Sequence, residues 1–311
     1  MMTRDEISKI ENGFFLPIYD SFEKGLKIIN SSLKKDGKRI SLFIENDLSL
    51  NAHAKKIDNN NFHVVLLSGL IPITFNILAE NVDFFLQEYP DLKEKEAPIA
   101  LGCIFILYHI FGHEMGHVAR GHLSFVRSKQ TNLIGDYQVD SMGYNVSAKD
   151  FSKDQLKTLM EYDADVFSAS FVADVVLDAI KKGPDEKIKE KTLIGLSLSS
   201  IFFFFNFLCK IEEKESKYPP PMVRANALQS YLIKHLSKKT KLSDEELKDI
   251  MDTSFFNAYT YLEDNKRLFQ PTDDESLIKM DQLESKLLRQ HSAFDKVLTE
   301  GIVPRNNIKS S

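Results

Sequence analysis

Five consecutive residues, His113-Glu114-Met115-Gly116-His117, place two metal-binding side chains and one acid at a fixed spacing. On a helix of about 3.6 residues per turn, the two histidines lie on one face and can bind the same metal ion. Zinc suits this arrangement, because it lowers the pKa of a bound water while the neighbouring Glu114 can accept the water's proton. The pattern therefore predicts a hydrolytic zinc site, and Gly116 predicts a close approach by a second helix.

A catalytic zinc ion needs a further protein ligand besides the two histidines, and it keeps one position open for water. In one known pattern, that of the metzincins, the ligand is a histidine that follows a glycine. Counted from His113, the glycine would be residue 120 and the histidine residue 123, but these positions hold Arg120 and Leu123. His122 is one residue short, so the metzincin pattern is excluded.

The acidic segment Glu161-Tyr162-Asp163-Ala164-Asp165 is the other source of a ligand. Glu161 and Asp165 are four residues apart and share a helix face. We predict that Glu161 binds zinc and that Asp165 accepts the outer N–H of a ligating histidine, with His113 as the expected donor. Asp163 is the alternative ligand.

Two helices must position these residues. The first is predicted over 98–120, with Pro98 in its first turn and Gly121 as its cap. The second is predicted over 153–182, where Ser152 and Gln155 match a capping box. The other predicted elements include an N-terminal helix over 4–35, a hairpin unit over 39–67, an apolar helix over 192–209 and further C-terminal helices.

The predicted fold class is α+β, mainly α, with a small β-sheet packed on the helix that carries the histidines. We expect a metallopeptidase domain over 1–230 and a helical C-terminal extension over 231–311. A net charge of −5 without a basic stripe argues against nucleic-acid binding.

The expected location is the cytoplasm. The two cysteines lie in apolar runs, which suits a reducing compartment, and Met1–Lys9 precedes no apolar signal-peptide core. The uncharged stretch Thr192–Cys209 approaches the length of a membrane span, but its serines and Asn206 favour a buried core helix. Membrane association is therefore the alternative.

These residues resemble the gluzincin peptidases of the HtpX, Oma and CAAX-prenyl-protease type, which pair HExxH with a downstream helix of ExxAD type. Transmembrane helices like those that flank HtpX-like enzymes are not evident, which points to soluble relatives such as the Lit-type exclusion peptidases of prophages. The segments that carry the resemblance, besides Glu161–Asp165, are His113–His122, Asn51–Ala54 followed by Val64–Ile71, and Pro219–Pro221 with Arg224.

The resemblance implies a zincin-like core with an edge strand beside the zinc cleft, to which an extended substrate adds by main-chain hydrogen bonds. It also implies substrate or transition-state contacts from Arg224 and from Tyr218, which stands where the family often has histidine. A tyrosine hydroxyl can donate to an oxyanion. The implied edge strand comprises Asn51, Ala52, His53 and Ala54.

The sequence thus predicts a zinc-dependent endopeptidase with one zinc ion per chain, Glu114 as catalytic base and a protein or peptide as substrate. Two alternatives stay open. One is a non-catalytic, zinc-containing interaction protein, which would need the ligands but not Glu114. The other is a membrane-embedded, HtpX-like protease that uses Thr192–Cys209 as a span.

Overall fold

The computed structural model describes residues 1–33, 37–92, 96–128, 133–135, 142–144, 152–182, 186–211, 219–269 and 273–297. These residues are mainly helical with a small β-sheet, which confirms the α+β, mainly α class. The helices are α1 (Arg4–Ile7), α2 (Phe15–Leu33), α3 (Leu70–Ala79), α4 (Val82–Glu88), α5 (Ala97–Ala119), α6 (His122–Phe125), α7 (Lys153–Lys181), α8 (Glu186–Ile211), α9 (Pro221–Leu236), α10 (Asp244–Asp264) and α11 (Asp274–Val297). The strands are β1 (Arg39–Glu45), β2 (Ala52–Lys56), β3 (Asn61–Leu67), β4 (Val126–Ser128), β5 (Leu133–Gly135) and β6 (Met142–Tyr144).

The chain forms two compact units that interleave along the sequence. The prediction divided the chain once, between residues 230 and 231. That domain division stays a prediction. In the structure, the part of α11 from Gln290 onwards belongs to the same compact unit as the beginning of the chain and the segment that carries His113 and Glu161. Unit 1 comprises Met1–Ile73, His113–Ala164 and Gln290–Ser311, and unit 2 comprises Thr74–Gly112 and Asp165–Arg289.

Unit 1 contains a four-stranded sheet in the order β1-β3-β2-β5. The predicted hairpin is β2 and β3, which are antiparallel, whereas β1 runs parallel to β3 on its other side. Along β1 the side chains alternate between partly exposed and buried, because successive residues of a strand point to opposite faces. The buried set of β1 is Ile40, Leu42 and Ile44.

The N-terminal helix of unit 1 is interrupted, although a single helix was predicted over 4–35. Glu11 and Asn12 adopt left-handed backbone conformations, with φ of 46° and 55°, and these break the helical hydrogen bonding before α2 begins. Helix α2 is then attached to the sheet by Asn30. Its amide donates to the carbonyl of Ile40 at 2.7 Å and accepts from the N–H of the same residue at 2.8 Å.

Unit 2 has an aromatic core. Helix α8 packs against α9 and α10, and its Phe203 ring lies 5.0 and 5.1 Å from the rings of Phe84 and Phe85 between centroids. The predicted apolar helix over 192–209 is therefore confirmed as part of α8, and Phe203 serves packing.

Two described helices are long and apolar enough to cross a membrane, Ala97–Ala119 and Glu190–Ile211. In each, 78% of the most apolar window is buried inside the protein. Buried core helices of soluble proteins have the same length and composition.

The two helices that carry the predicted site residues begin and end where the sequence indicates. Helix α5 is followed by Gly121 at φ +81°, a left-handed conformation that glycine adopts without steric cost. At the start of α7, the Ser152 N–H donates to the Gln155 carboxamide oxygen at 2.8 Å, and the Gln155 N–H donates to the Ser152 hydroxyl at 3.2 Å. This is the predicted capping box.

Candidate metal centre

Three buried side chains of unit 1 bring their donor atoms together. The Nε2 atoms of His113 and His117 are 3.1 Å apart. One carboxylate oxygen of Glu161 lies 3.2 Å from His113 Nε2, and the other lies 3.6 Å from His117 Nε2. Each residue is at most 3% exposed. The structure thus brings together the three residues that the sequence predicted as ligands, two from α5 and one from α7.

A glycine allows α5 and α7 to approach this closely. A Cβ atom at Gly116 would lie 3.0 Å from Ala164 Cα and 3.3 Å from the carbonyl oxygen of Ala164, both closer than ordinary contact. Gly116 lies between the two histidines on α5, and Ala164 lies one helical turn after Glu161 on α7. The predicted close approach at Gly116 is confirmed, and it sets the distance between the donors on the two helices.

The separations of these donor atoms fit a tetrahedral metal ion. Zinc binds histidine nitrogen and carboxylate oxygen at about 2.0–2.2 Å, which places tetrahedral ligands roughly 3.3 Å apart. The three observed separations between donor atoms, 3.1, 3.2 and 3.6 Å, lie on either side of that value. Two imidazoles and one carboxylate are also a donor set that zinc prefers, and buried ionisable groups in such proximity favour a cation between them.

Glu114, the predicted catalytic base, belongs to the same helix and the same unit. It follows His113 directly in α5, and its side chain is 2% exposed. Glu114 is therefore positioned by the same helix as the two histidines, in surroundings with little access to water.

Comparisons with known protein families, with curated proteins and with solved structures give no match for this chain. The resemblance to the HtpX, Oma and CAAX-prenyl-protease peptidases therefore stays a prediction. The chemistry of the site itself has to indicate the function.

Asp163, the alternative ligand in the prediction, makes hydrogen bonds to other side chains. Its two oxygens accept hydrogen bonds from Arg120 Nε at 2.8 Å and Arg120 Nη2 at 3.1 Å. The Nε2 atoms of His122 and His291 are 3.0 and 2.6 Å from the same carboxylate. On its other side, His122 Nδ1 is 2.9 Å from Nδ1 of the predicted ligand His117.

Burial and hydrogen bonding define the charges of this second cluster. Burial lowers the pKa of His122, because it disfavours the imidazolium more than the neighbouring Asp163 favours it. Burial alone would raise the pKa of Asp163, but the hydrogen bonds from His122 and His291 outweigh it and hold that pKa well below its usual range. The cluster therefore combines an ionised Asp163 with a neutral His122.

Sequence reasoning missed this cluster. The spacing after the HExxH pattern excludes His122 as a third ligand of metzincin type, and no pattern in the sequence assigns a role to His291. The sequence does show that Arg120 and His122 directly follow the HExxH helix α5, and this closeness to the predicted ligands was the available signal for their part of the cluster. The position of His291, which is 128 residues from Asp163, gives no such signal.

Asp165 and Arg224 form a buried ion pair in unit 2. The guanidinium donates to both oxygens of Asp165, at 2.8 and 3.3 Å, and lies 5.7 Å from the centroid of the Phe205 ring. Asp165 is 0% exposed and Arg224 is 4% exposed. This pair attaches the start of α9 to α7. The roles predicted for Asp165 at a ligating histidine and for Arg224 at the substrate stay predictions.

The predicted edge strand requires a correction, because β2 is an inner strand. Its residues His53, Ala54 and Lys55 pair with Gly135, Ile134 and Leu133 of β5, so the chain itself covers the edge that was expected to be open. Asn51 and Ala52 lie outside the pairing with β5. Substrate contacts from Asn51 to Ala54 stay a prediction, and Tyr218 lies outside the described residues.

Proposed function

We propose that this chain is a zinc-dependent endopeptidase with a zincin-like catalytic core. The observation that carries the proposal is the buried triangle of His113, His117 and Glu161, with sides of 3.1, 3.2 and 3.6 Å. It is supported by Glu114, which is a buried acid on the same helix as the two histidines.

His113, His117 and Glu161 would hold one zinc ion and leave a position open towards the substrate. When bound there, zinc would supply a lowered pKa of a water molecule and polarisation of the carbonyl of the scissile peptide. Glu114 accepts a proton from the attacking water while the new C–O bond forms. It then donates that proton to the leaving nitrogen as the C–N bond breaks, so that an acid and an amine are released.

The test separates metal binding from catalysis by changing one atom of Glu114. We expect Glu114→Gln to keep about one zinc ion per chain, measured by elemental analysis, because the glutamine is isosteric and no ligand is changed. Its peptide cleavage should fall by about 10²–10⁴-fold, which is the usual contribution of a general base. His117→Ala should lose both zinc and cleavage. Full cleavage by Glu114→Gln would refute the assigned mechanism.

A peptide library is the first substrate to test, since the triangle of ligands does not select a sequence. If zinc-loaded protein cleaves no member, the alternative of a non-catalytic zinc protein is favoured. In cells, new protein termini that depend on the wild-type chain and are absent with Glu114→Gln would identify the natural substrate.

We also propose that the chain acts as a soluble cytoplasmic protein. Cys103 is buried in α5 and Cys209 is partly buried in α8, and cysteines placed in apolar helices suit a reducing compartment. The two apolar helices are largely buried, as core helices are. Fractionation of the expressed chain tests this directly. Recovery only in a detergent-extracted pellet would favour the membrane-embedded alternative.

A further inference from the structure

A line of hydrogen bonds runs from the metal centre to the end of helix α11. It starts at His117 Nδ1, 2.9 Å from His122 Nδ1, and continues from His122 Nε2 to Asp163 over 3.0 Å. It ends at His291 Nε2, which is 2.6 Å from the other oxygen of Asp163. All four residues belong to unit 1.

The chemistry of imidazole gives this line a direction. In the proposed site His117 faces the metal with Nε2, so its single N–H is on Nδ1. That N–H can only donate to His122 if His122 Nδ1 is unprotonated. A neutral His122 then carries its own proton on Nε2 and donates it to Asp163. The hydrogen bond to Asp163 thus fixes the tautomer of His122, and the hydrogen bond to His122 fixes the tautomer of His117.

Helix α11 supplies the far end of this line. His291 is 13% exposed on its side chain, and the buried Phe294, one turn later, lies 6.1 Å from the His122 ring between centroids. The His291 ring also packs against Tyr162, which is adjacent to Asp163, at 5.4 Å. The last turns of α11 therefore contact both the carboxylate and the imidazole behind His117.

We propose that His122, Asp163 and His291 position His117 for metal binding, and that the end of helix α11 is thereby part of the metal centre. This inference rests on the metal site of the proposed function but not on peptide cleavage. His122 orients the ligand, Asp163 orients His122, and His291 together with Arg120 holds Asp163 in place. Partners behind a ligating histidine fix its ring and tautomer, and their loss typically weakens metal binding by about 10- to 100-fold.

Cobalt titration of the full chain, without any substrate, tests this inference. Cobalt occupies zinc sites and reports the ligand geometry by its visible absorption. We expect His122→Phe, which keeps a ring but loses both hydrogen bonds, to weaken cobalt binding by about 10- to 100-fold and to change the spectrum. His291→Leu should weaken it less, because Arg120 still binds Asp163. His291→Gln, which retains a donor, should restore both affinity and spectrum.

The matched control is His235→Leu, which removes a half-buried histidine of unit 2. It should bind cobalt like the wild type. A purely structural role would lower the melting temperature of His291→Leu but leave affinity and spectrum unchanged, and that result would overturn the inference. Should His122→Phe not fold, the comparison of His291→Leu with His291→Gln decides alone. Absence of cobalt binding in the wild type would instead refute the metal site and, with it, the proposed function.

Discussion

Replacement of Gly116 by alanine should weaken metal binding more than it weakens the fold. The new Cβ would lie 3.0 Å from Ala164 Cα, whereas carbon atoms in optimal contact are about 3.5–4.0 Å apart. Relief of this overlap requires α5 and α7 to separate by roughly 0.5 Å or more. The histidines are on one helix and Glu161 is on the other, so the separation increases the distances between the ligands.

Two opposing terms set the stability of Gly116→Ala. Overpacking of a tight interface costs about 1–3 kcal/mol, while alanine in place of glycine favours a helix by about 1 kcal/mol. The free energy of unfolding should therefore fall by roughly 0–2 kcal/mol. Metal ligands tolerate displacements of only about 0.2 Å, so the affinity for zinc or cobalt should fall by at least about 10-fold.

Two other glycines provide the controls. A Cβ at Gly25 in α2 meets nothing within 4 Å, so Gly25→Ala should gain up to about 1 kcal/mol and bind metal normally. A Cβ at Gly102, elsewhere in α5, would overlap Ser200 Oγ and lie 2.8 Å from Leu78 Cδ1. Gly102→Ala should therefore lose stability but keep its metal affinity. The assays are urea unfolding of metal-free protein and competitive metal titration. Wild-type affinity in Gly116→Ala, with a gain in stability like that of Gly25→Ala, would refute the close approach as the determinant of ligand spacing.

Two further predictions concern the elements around the site. Arg224→Ala should lower the free energy of unfolding by about 3–5 kcal/mol, because it leaves the carboxylate of Asp165 buried without its guanidinium partner. Urea unfolding measures this change, and a loss below about 1 kcal/mol would contradict the buried ion pair. Ser152→Ala should lower the free energy of unfolding by about 0.5–2 kcal/mol, because α7 loses its N-terminal cap. Ser152→Asn should lower it little, since asparagine caps a helix equally well. Equal stability of the two variants in urea unfolding would argue against the capping box.

Local patterns account for the predicted residues that the structure brings together. His113 and His117 share a face through helical periodicity alone, and the ends of α5 and α7 follow from Gly121 and from the capping box at Ser152. These signals act over a few residues, so they can be read without knowledge of the packing. Glu161 could be predicted as a ligand because zinc requires a third protein ligand and a capped helix carries this carboxylate.

The sheet order could not be predicted in this way. Alternation of buried and exposed residues identifies β1, β2 and β3 as strands, but it does not tell which strand pairs with which. The parallel pairing of β1 with β3, and the addition of β5 to β2, depend on contacts between segments far apart in the chain. The expected open edge at His53 and Ala54 was incorrect for this reason.

The sequence by itself determined the candidate ligands, the acid beside them and the helices that carry them, because these features follow from spacing along each helix. Only the tertiary structure decided which side chain each of the two aspartates of α7 contacts. Asp163 and Asp165 are two residues apart on α7, yet one contacts His122 and the other contacts Arg224. The hydrogen bond between His291 and Asp163 joins residues that are 128 positions apart, so it forms only when the folded backbone brings the two segments together.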